Sequence, residues 1–88
     1  MITSFQIRAA RACLNISQAM VARETEISTA TINRLEAAQE FVDTAGLNTL
    51  KKLIKFFEEQ GVEFVGENTE RNKGAGVRFT PPLLSGQK

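Results

Sequence analysis

The 88-residue chain has room for one domain and a short appendage, because a chain of this size buries only about 60% of the surface its unfolded form exposes. Its charges nearly cancel, with 11 Lys+Arg against 10 Asp+Glu for a net of +1, so any attraction to a polyanion must lie in their distribution. With no His, Trp or Tyr and a single Cys, the commonest general base and metal ligand and any internal disulfide are missing, which excludes most enzyme chemistry and gives no cofactor or metal site.

One local pattern recurs three times: an apolar residue, a Ser or Thr, then an apolar residue four positions after the hydroxyl. It reads Ile2-Thr3 to Ile7, Ile16-Ser17 to Val21 and Ile27-Ser28 to Ile32. A hydroxyl at the N-cap accepts from a free N–H of the first turn, and the flanking apolar pair clasps as a hydrophobic staple. Three helix starts follow, and Gln6 completes a capping box with Thr3 at the first.

The first helix is expected from about Ser4 to Cys13, with Ile7, Ala10 and Leu14 inward. Asn15 and Ile16 connect it to a second helix that follows Ser17, turns Met20 and Val21 inward, and ends near Thr25. Glu26 and Ile27 separate that helix from the Ser28 cap of a third, which carries Ile32 and Leu35 inward and stops near Ala38. A pair joined by so short a turn is a helix-turn-helix. The segment from Gln39 to Leu47 reads as a loop with room for one helical turn.

A fourth helix is expected from Asn48 to Gln60, where Leu50, Leu53, Ile54 and Phe57 keep helical spacing. Gly61 supplies a left-handed end with Val62 folding back on Phe57. Lys51 and Lys52 at its start and Glu58 and Glu59 at its end oppose the macrodipole, so packing must hold it. After Gly61 the period becomes 2, and Val62 to Val65 and Val77 to Thr80 read as an antiparallel pair packed on the fourth helix. Pro81-Pro82 ends the second strand, and residues 83–88 read as a frayed tail.

A second helix of such a pair fits the roughly 12 Å major groove of DNA. With Ile32 and Leu35 inward, Thr29, Ala30, Asn33 and Arg34 face outward. Arg can bond a guanine edge, Asn an adenine edge, and Thr or Ala can meet a thymine methyl. Gln18 opens the second helix, where free N–H groups favour a phosphate.

Arg8-Ala-Ala-Arg11, Leu14-Asn-Ile-Ser-Gln18, Ala22 and Ile27 to Glu36 together resemble the phage-repressor and Cro-like regulators, the XRE family, over roughly residues 3–60. The resemblance implies a mainly α, lambda-repressor-like domain of four to five helices, here with a C-terminal two-stranded antiparallel β segment. The implied division is a DNA-binding part at 1–60, a hairpin extension packed on it at 61–80, and a flexible tail at 81–88. It places Gln18 on the DNA backbone, Thr29, Ala30 and Arg34 on the base-reading face, and Ser28 and Asn33 beside them. It also implies an ion pair between Arg11 and Glu36 that braces the fold, and a homodimer that represses or tunes transcription at a pseudo-palindromic operator. Two positions depart from the family pattern: Glu26 and Ala38 stand where Gly is frequent, at sites that often need positive φ.

The charge footprint is thin. Residues 1–35 hold four Arg against Glu24 and Glu26, a local net of +2, and Glu36, Glu40 and Asp43 follow. A strong sequence-independent binder neutralises roughly six to ten phosphates, so a dimer is the natural way for Arg8, Arg23 and Arg34 to suffice. Lys51, Lys52 and Lys55 read as a wet face within reach of flanking phosphates. Cys13 reads as a small buried hydrophobe, and Phe56, Phe57, Phe64 and Phe79 as core rather than a base-stacking platform. Arg8 and Arg11 break up the N-terminal apolar residues and Leu53 to Phe57 is far shorter than the roughly 18 residues of a membrane span, so no signal peptide and no membrane partner are expected. The expected compartment is the reducing cytoplasm. The alternative is an antitoxin-like or anti-repressor module with a protein partner, docking through Phe41, Val42 and the strands.

Overall fold

The structure, a computed structural model, describes residues 2–38, 46–66, 71 and 74–80. Four helices, α1 (Ser4–Leu14), α2 (Gln18–Thr25), α3 (Thr29–Ala37) and α4 (Leu47–Glu59), precede two strands, β1 (Val62–Val65) and β2 (Gly76–Phe79). The mainly helical architecture with a two-stranded antiparallel sheet is the one the sequence implies. The segment read as a loop at 39–47 lies outside the described residues except for Gly46 and Leu47, as do Pro81-Pro82 and the tail.

Each hydroxyl signal is an N-cap. Thr3, Ser17 and Ser28 adopt extended backbone and accept from Gln6, Met20 and Thr31 backbone N–H groups. Every such cap contributes about 1 kcal/mol. The capping box at Thr3 is complete, since the Thr3 N–H donates to Gln6 Oε1 at 2.8 Å. The helix α4 has no side-chain cap and starts after Gly46 at φ 87°, so packing has to hold it, as its reversed charges require.

The staple residues converge. Ile7, Val21, Ile27, Ile32 and Leu35 are buried with Ile2, Ala10, Leu53, Phe57 and Val62 in one core. Burying each large aliphatic or Phe side chain contributes about 1.5–3 kcal/mol. Phe57 meets Phe64 edge-to-face at 5.8 Å and Phe56 at 5.1 Å, which ties the last turn of α4 to β1. Gly61 takes φ 95° and donates its N–H to Glu58 O at 3.0 Å, half of a Schellman ending, and the fully buried Val62 follows it.

A lone two-stranded hairpin is marginal in water, and here both ends are fastened. The strands pair antiparallel from Val62 opposite Phe79 to Val65 opposite Gly76. At the first end Thr80 N–H donates to Gly61 O at 2.8 Å. At the other, the buried Gln6 of α1 donates through Nε2 to both Val65 O at 3.0 Å and Gly76 O at 2.9 Å. The sheet thus packs on α1 as well as on the expected α4.

Several side chains differ from expectation. Cys13 is exposed in the last turn of α1, although it stands two turns after the buried Gln6. Met20 is 38% exposed; Val21 and Thr25, one turn apart, form the buried edge of α2, and Met20 lies about 100° from Val21. Phe79 closes β2 and stays 40% exposed, whereas Phe57 is core and Phe56 and Phe64 pack against it. Ala38 ends α3 with φ -61° and ψ 150°, extended rather than left-handed, so no glycine is needed there. Glu26 does adopt the left-handed region, at φ 61°, as does Asn15 at 55°.

Candidate nucleic-acid interface

The turn between α2 and α3 is three residues, Glu26 to Ser28. Glu26 caps α2 in the left-handed region with its N–H on Ala22 O, and Ile27 N–H reaches the same carbonyl at 3.2 Å. Buried Ile27 then pins the turn to the core. Thr25 is also buried, its hydroxyl donating to Val21 O at 2.6 Å. This local geometry sets α3 against α2 with one side committed to the interior: Ile32 is 0% exposed and Leu35 is 1% exposed.

The opposite side is the one singled out by the sequence. Ser28, Thr29, Ala30, Asn33 and Arg34 are all exposed, and the structure brings them together along the start and outer face of α3. Ser28 Oγ is engaged as the cap, accepting from Thr31 N–H at 3.1 Å and donating to Thr31 Oγ1 at 2.9 Å.

Gln18 is placed differently from the rest. It is half-buried at the start of α2, with Nε2 donating to Glu36 Oε1 at 3.1 Å and Oε1 accepting from Asn33 Nδ2 at 3.4 Å. One Nε2 hydrogen is left for an outside acceptor. No local pattern gave these links, which join residues 18 and 15 positions apart.

The implied ion pair is present and two-pronged. Arg11 Nε donates to Glu36 Oε2 at 2.8 Å and Nη2 to Oε1 at 2.9 Å, while Nη1 reaches Ile16 O at 3.1 Å. Burial would raise the Glu36 carboxyl, but hydrogen bonds from Arg11 and Gln18 and the charges of Arg11 and Arg8 hold it below its ordinary value. The bond to Glu36 likewise raises Arg11 against the opposing effect of burial.

Arg8 and Arg23 make their own contacts elsewhere. Arg8 covers the exposed ring of Phe5 at 5.1 Å, and Arg23 meets Glu24 at 3.6 Å in solvent. Lys51, Lys52 and Lys55 are exposed on α4. Among the described residues no three His, Cys, Asp or Glu side chains gather to hold a metal ion. No described helix is long and apolar enough to cross a membrane.

A search of curated proteins found no relative of the chain. A family model described as helix-turn-helix matches residues 7–64, a span holding all of α2, α3 and α4. On that match over more than half of its length, the chain belongs to the XRE-type helix-turn-helix family of DNA-binding transcriptional regulators.

Proposed function

We propose that the protein is a sequence-specific double-stranded DNA-binding repressor that lays α3 in the major groove and acts as a homodimer. The observation that carries this reading is the two-sidedness of α3, with Ile32 and Leu35 sealed in the core and Thr29, Ala30, Asn33 and Arg34 exposed opposite them. Arg34 presents a planar donor fork to guanine, Asn33 a paired donor and acceptor to adenine, and Thr29 and Ala30 methyl groups to thymine. Gln18 offers its remaining amide hydrogen to a phosphate beside the free N–H groups of the α2 start. Ser28 holds the start of α3 in place, next to the backbone.

Charge argues for pairing. Arg11 is committed to Glu36, which leaves Arg8, Arg23 and Arg34 as the arginines of the helical trio available to a polyanion. Doubling so small a set on a twofold operator brings it towards the roughly six to ten phosphates of a strong binder. The division of labour we assign is DNA contact by residues 1–60 and bracing by the hairpin at 61–80.

The protein-partner reading places its contacts on Phe41 and Val42, which lie outside the described residues, and on strands whose Val62 is buried. Selection of bound sequences from a random duplex pool tests the DNA reading. It should return a pseudo-palindrome, and Arg34→Ala should relax one base position at a cost of about 1–3 kcal/mol. Equal losses on selected and random DNA contradict base reading by Arg34. Sedimentation should show a dimer at tens of micromolar, and a monomer with and without DNA contradicts the pairing.

A further inference from the structure

Glu36 is 5% exposed and follows Asn33 by one turn on α3. Its two oxygens take both prongs of Arg11, and Oε1 also takes Gln18 Nε2. An ionised carboxylate only accepts hydrogen bonds. It therefore obliges Gln18 to turn its NH2 group inward, and the Gln18 carbonyl then faces the other way. Asn33 meets that carbonyl with Nδ2, at 3.4 Å.

The consequence reaches the surface. Asn33 is exposed, and its contact with Gln18 consumes one of its two amide hydrogens. When Gln18 takes the hydrogen trans to Oδ1, the cis hydrogen and Oδ1 stand side by side for an outside partner. A donor beside an acceptor matches N7 and the N6 amino group of adenine in the major groove. An amide without this tether has two senses to choose between and must be ordered on binding, which costs side-chain entropy.

We infer that Glu36 is a positioning residue for base recognition: through Gln18 it fixes the sense of the Asn33 amide so that Asn33 reads adenine. The inference rests on the DNA-binding reading and adds a specificity determinant that touches no base. Arg11 serves the same end by holding both carboxylate oxygens, Oε1 at 2.9 Å beside Gln18 and Oε2 at 2.8 Å.

Two measurements test it. In the free protein, the side-chain amide resonances of Asn33 are followed by NMR in the wild type and in Gln18→Met, which removes the relay and retains the Arg11–Glu36 pair. Both Asn33 amide protons should shift while backbone resonances of the buried face of α3 stay in place; unchanged Asn33 protons overturn the relay. On DNA, the random-pool selection is followed by affinity ratios for adenine against the other bases at each selected position. Asn33→Ala should abolish one adenine preference, and Gln18→Met should lower the same preference roughly fivefold or more, on top of a uniform loss from its phosphate contact. A preference that survives Gln18→Met intact, or a selected site with no position sensitive to Asn33→Ala, overturns the adenine role. A wild-type protein that retains no duplex overturns the DNA reading and the adenine role together, and the free-protein resonances decide separately whether the relay exists.

Discussion

Arg11 and Glu36 are joined by two hydrogen bonds of 2.8 and 2.9 Å across 25 residues of sequence, and the same guanidinium reaches back to the Ile16 carbonyl at 3.1 Å. One side chain therefore fastens α1 to α3 and steadies the connection that leads into α2. Removing one partner of a buried pair leaves the other charge uncompensated. Arg11 is 27% exposed and Glu36 5%, so Arg11→Met should cost about 3 kcal/mol, the lower end for such pairs. Urea unfolding followed by circular dichroism measures it, and a loss under about 1 kcal/mol would mean that water replaces the arginine.

The same pair sets a pH response. The Glu36 carboxyl is held below its ordinary value of 4.5, so the folded protein binds that proton less readily than the unfolded chain does. Its contribution is present in full above about pH 4.5 and is lost as the pH falls through the lower folded value. In Arg11→Met burial acts with less opposition from the remaining Gln18 bond and Arg8 charge, so the folded carboxyl rises and the loss of stability on acidification shrinks. Unfolding free energies measured at a series of pH values should show the wild type weakening on acidification and the variant weakening less. Parallel curves would place the acid sensitivity elsewhere.

Gln6 joins two tasks that separate cleanly by mutation. Its Oε1 closes the capping box and its Nε2 clamps the Val65 and Gly76 carbonyls. Gln6→Glu keeps the acceptor for Thr3 N–H but sets a carboxylate against two carbonyls. It should destabilise by about 2–3 kcal/mol, with hydrogen exchange accelerated first in β1 and β2. Faster exchange confined to the first turn of α1 would assign Gln6 to capping alone.

Ser4 is fully buried and its Oγ has no hydrogen-bond partner among the described residues. Desolvating such a hydroxyl costs about 1–3 kcal/mol. Ser4→Ala removes the polar atom with little change in volume and should stabilise the fold by about 1 kcal/mol, read as a rise in the thermal midpoint. A drop would show that the hydroxyl is satisfied in solution.

Much of this fold is legible locally, and the reason is physical. Thr3, Ser17 and Ser28 announce helix starts because a cap and its staple involve residues within one turn, and the change of period after Gly61 announces the strands for the same kind of reason. The outward set on α3 follows from the positions of Ile32 and Leu35. The errors arise where the angle round a helix or a distant partner decides. Met20 is apolar enough for the core but lies about 100° from the buried Val21, and Cys13 is exposed in the last turn of α1. Ala38 takes an extended ending that no residue type demands, while Glu26 is left-handed despite having a side chain. The long reach of Gln6 to the hairpin, and of Gln18 to Glu36 and Asn33, joins segments whose proximity exists only after folding. The Arg11–Glu36 pair was accessible through family resemblance and not through spacing.

Fluorescence anisotropy with a labelled random duplex at two salt concentrations decides whether the exposed face of α3 meets duplex DNA. Cationic contact with phosphates releases counterions, so binding should be measurable at low salt and fall steeply as salt rises, and the uncharged Gln18→Ala change should weaken it on all sequences alike with the slope retained. Absence of binding at low salt, or binding indifferent to salt, would contradict DNA contact by α3.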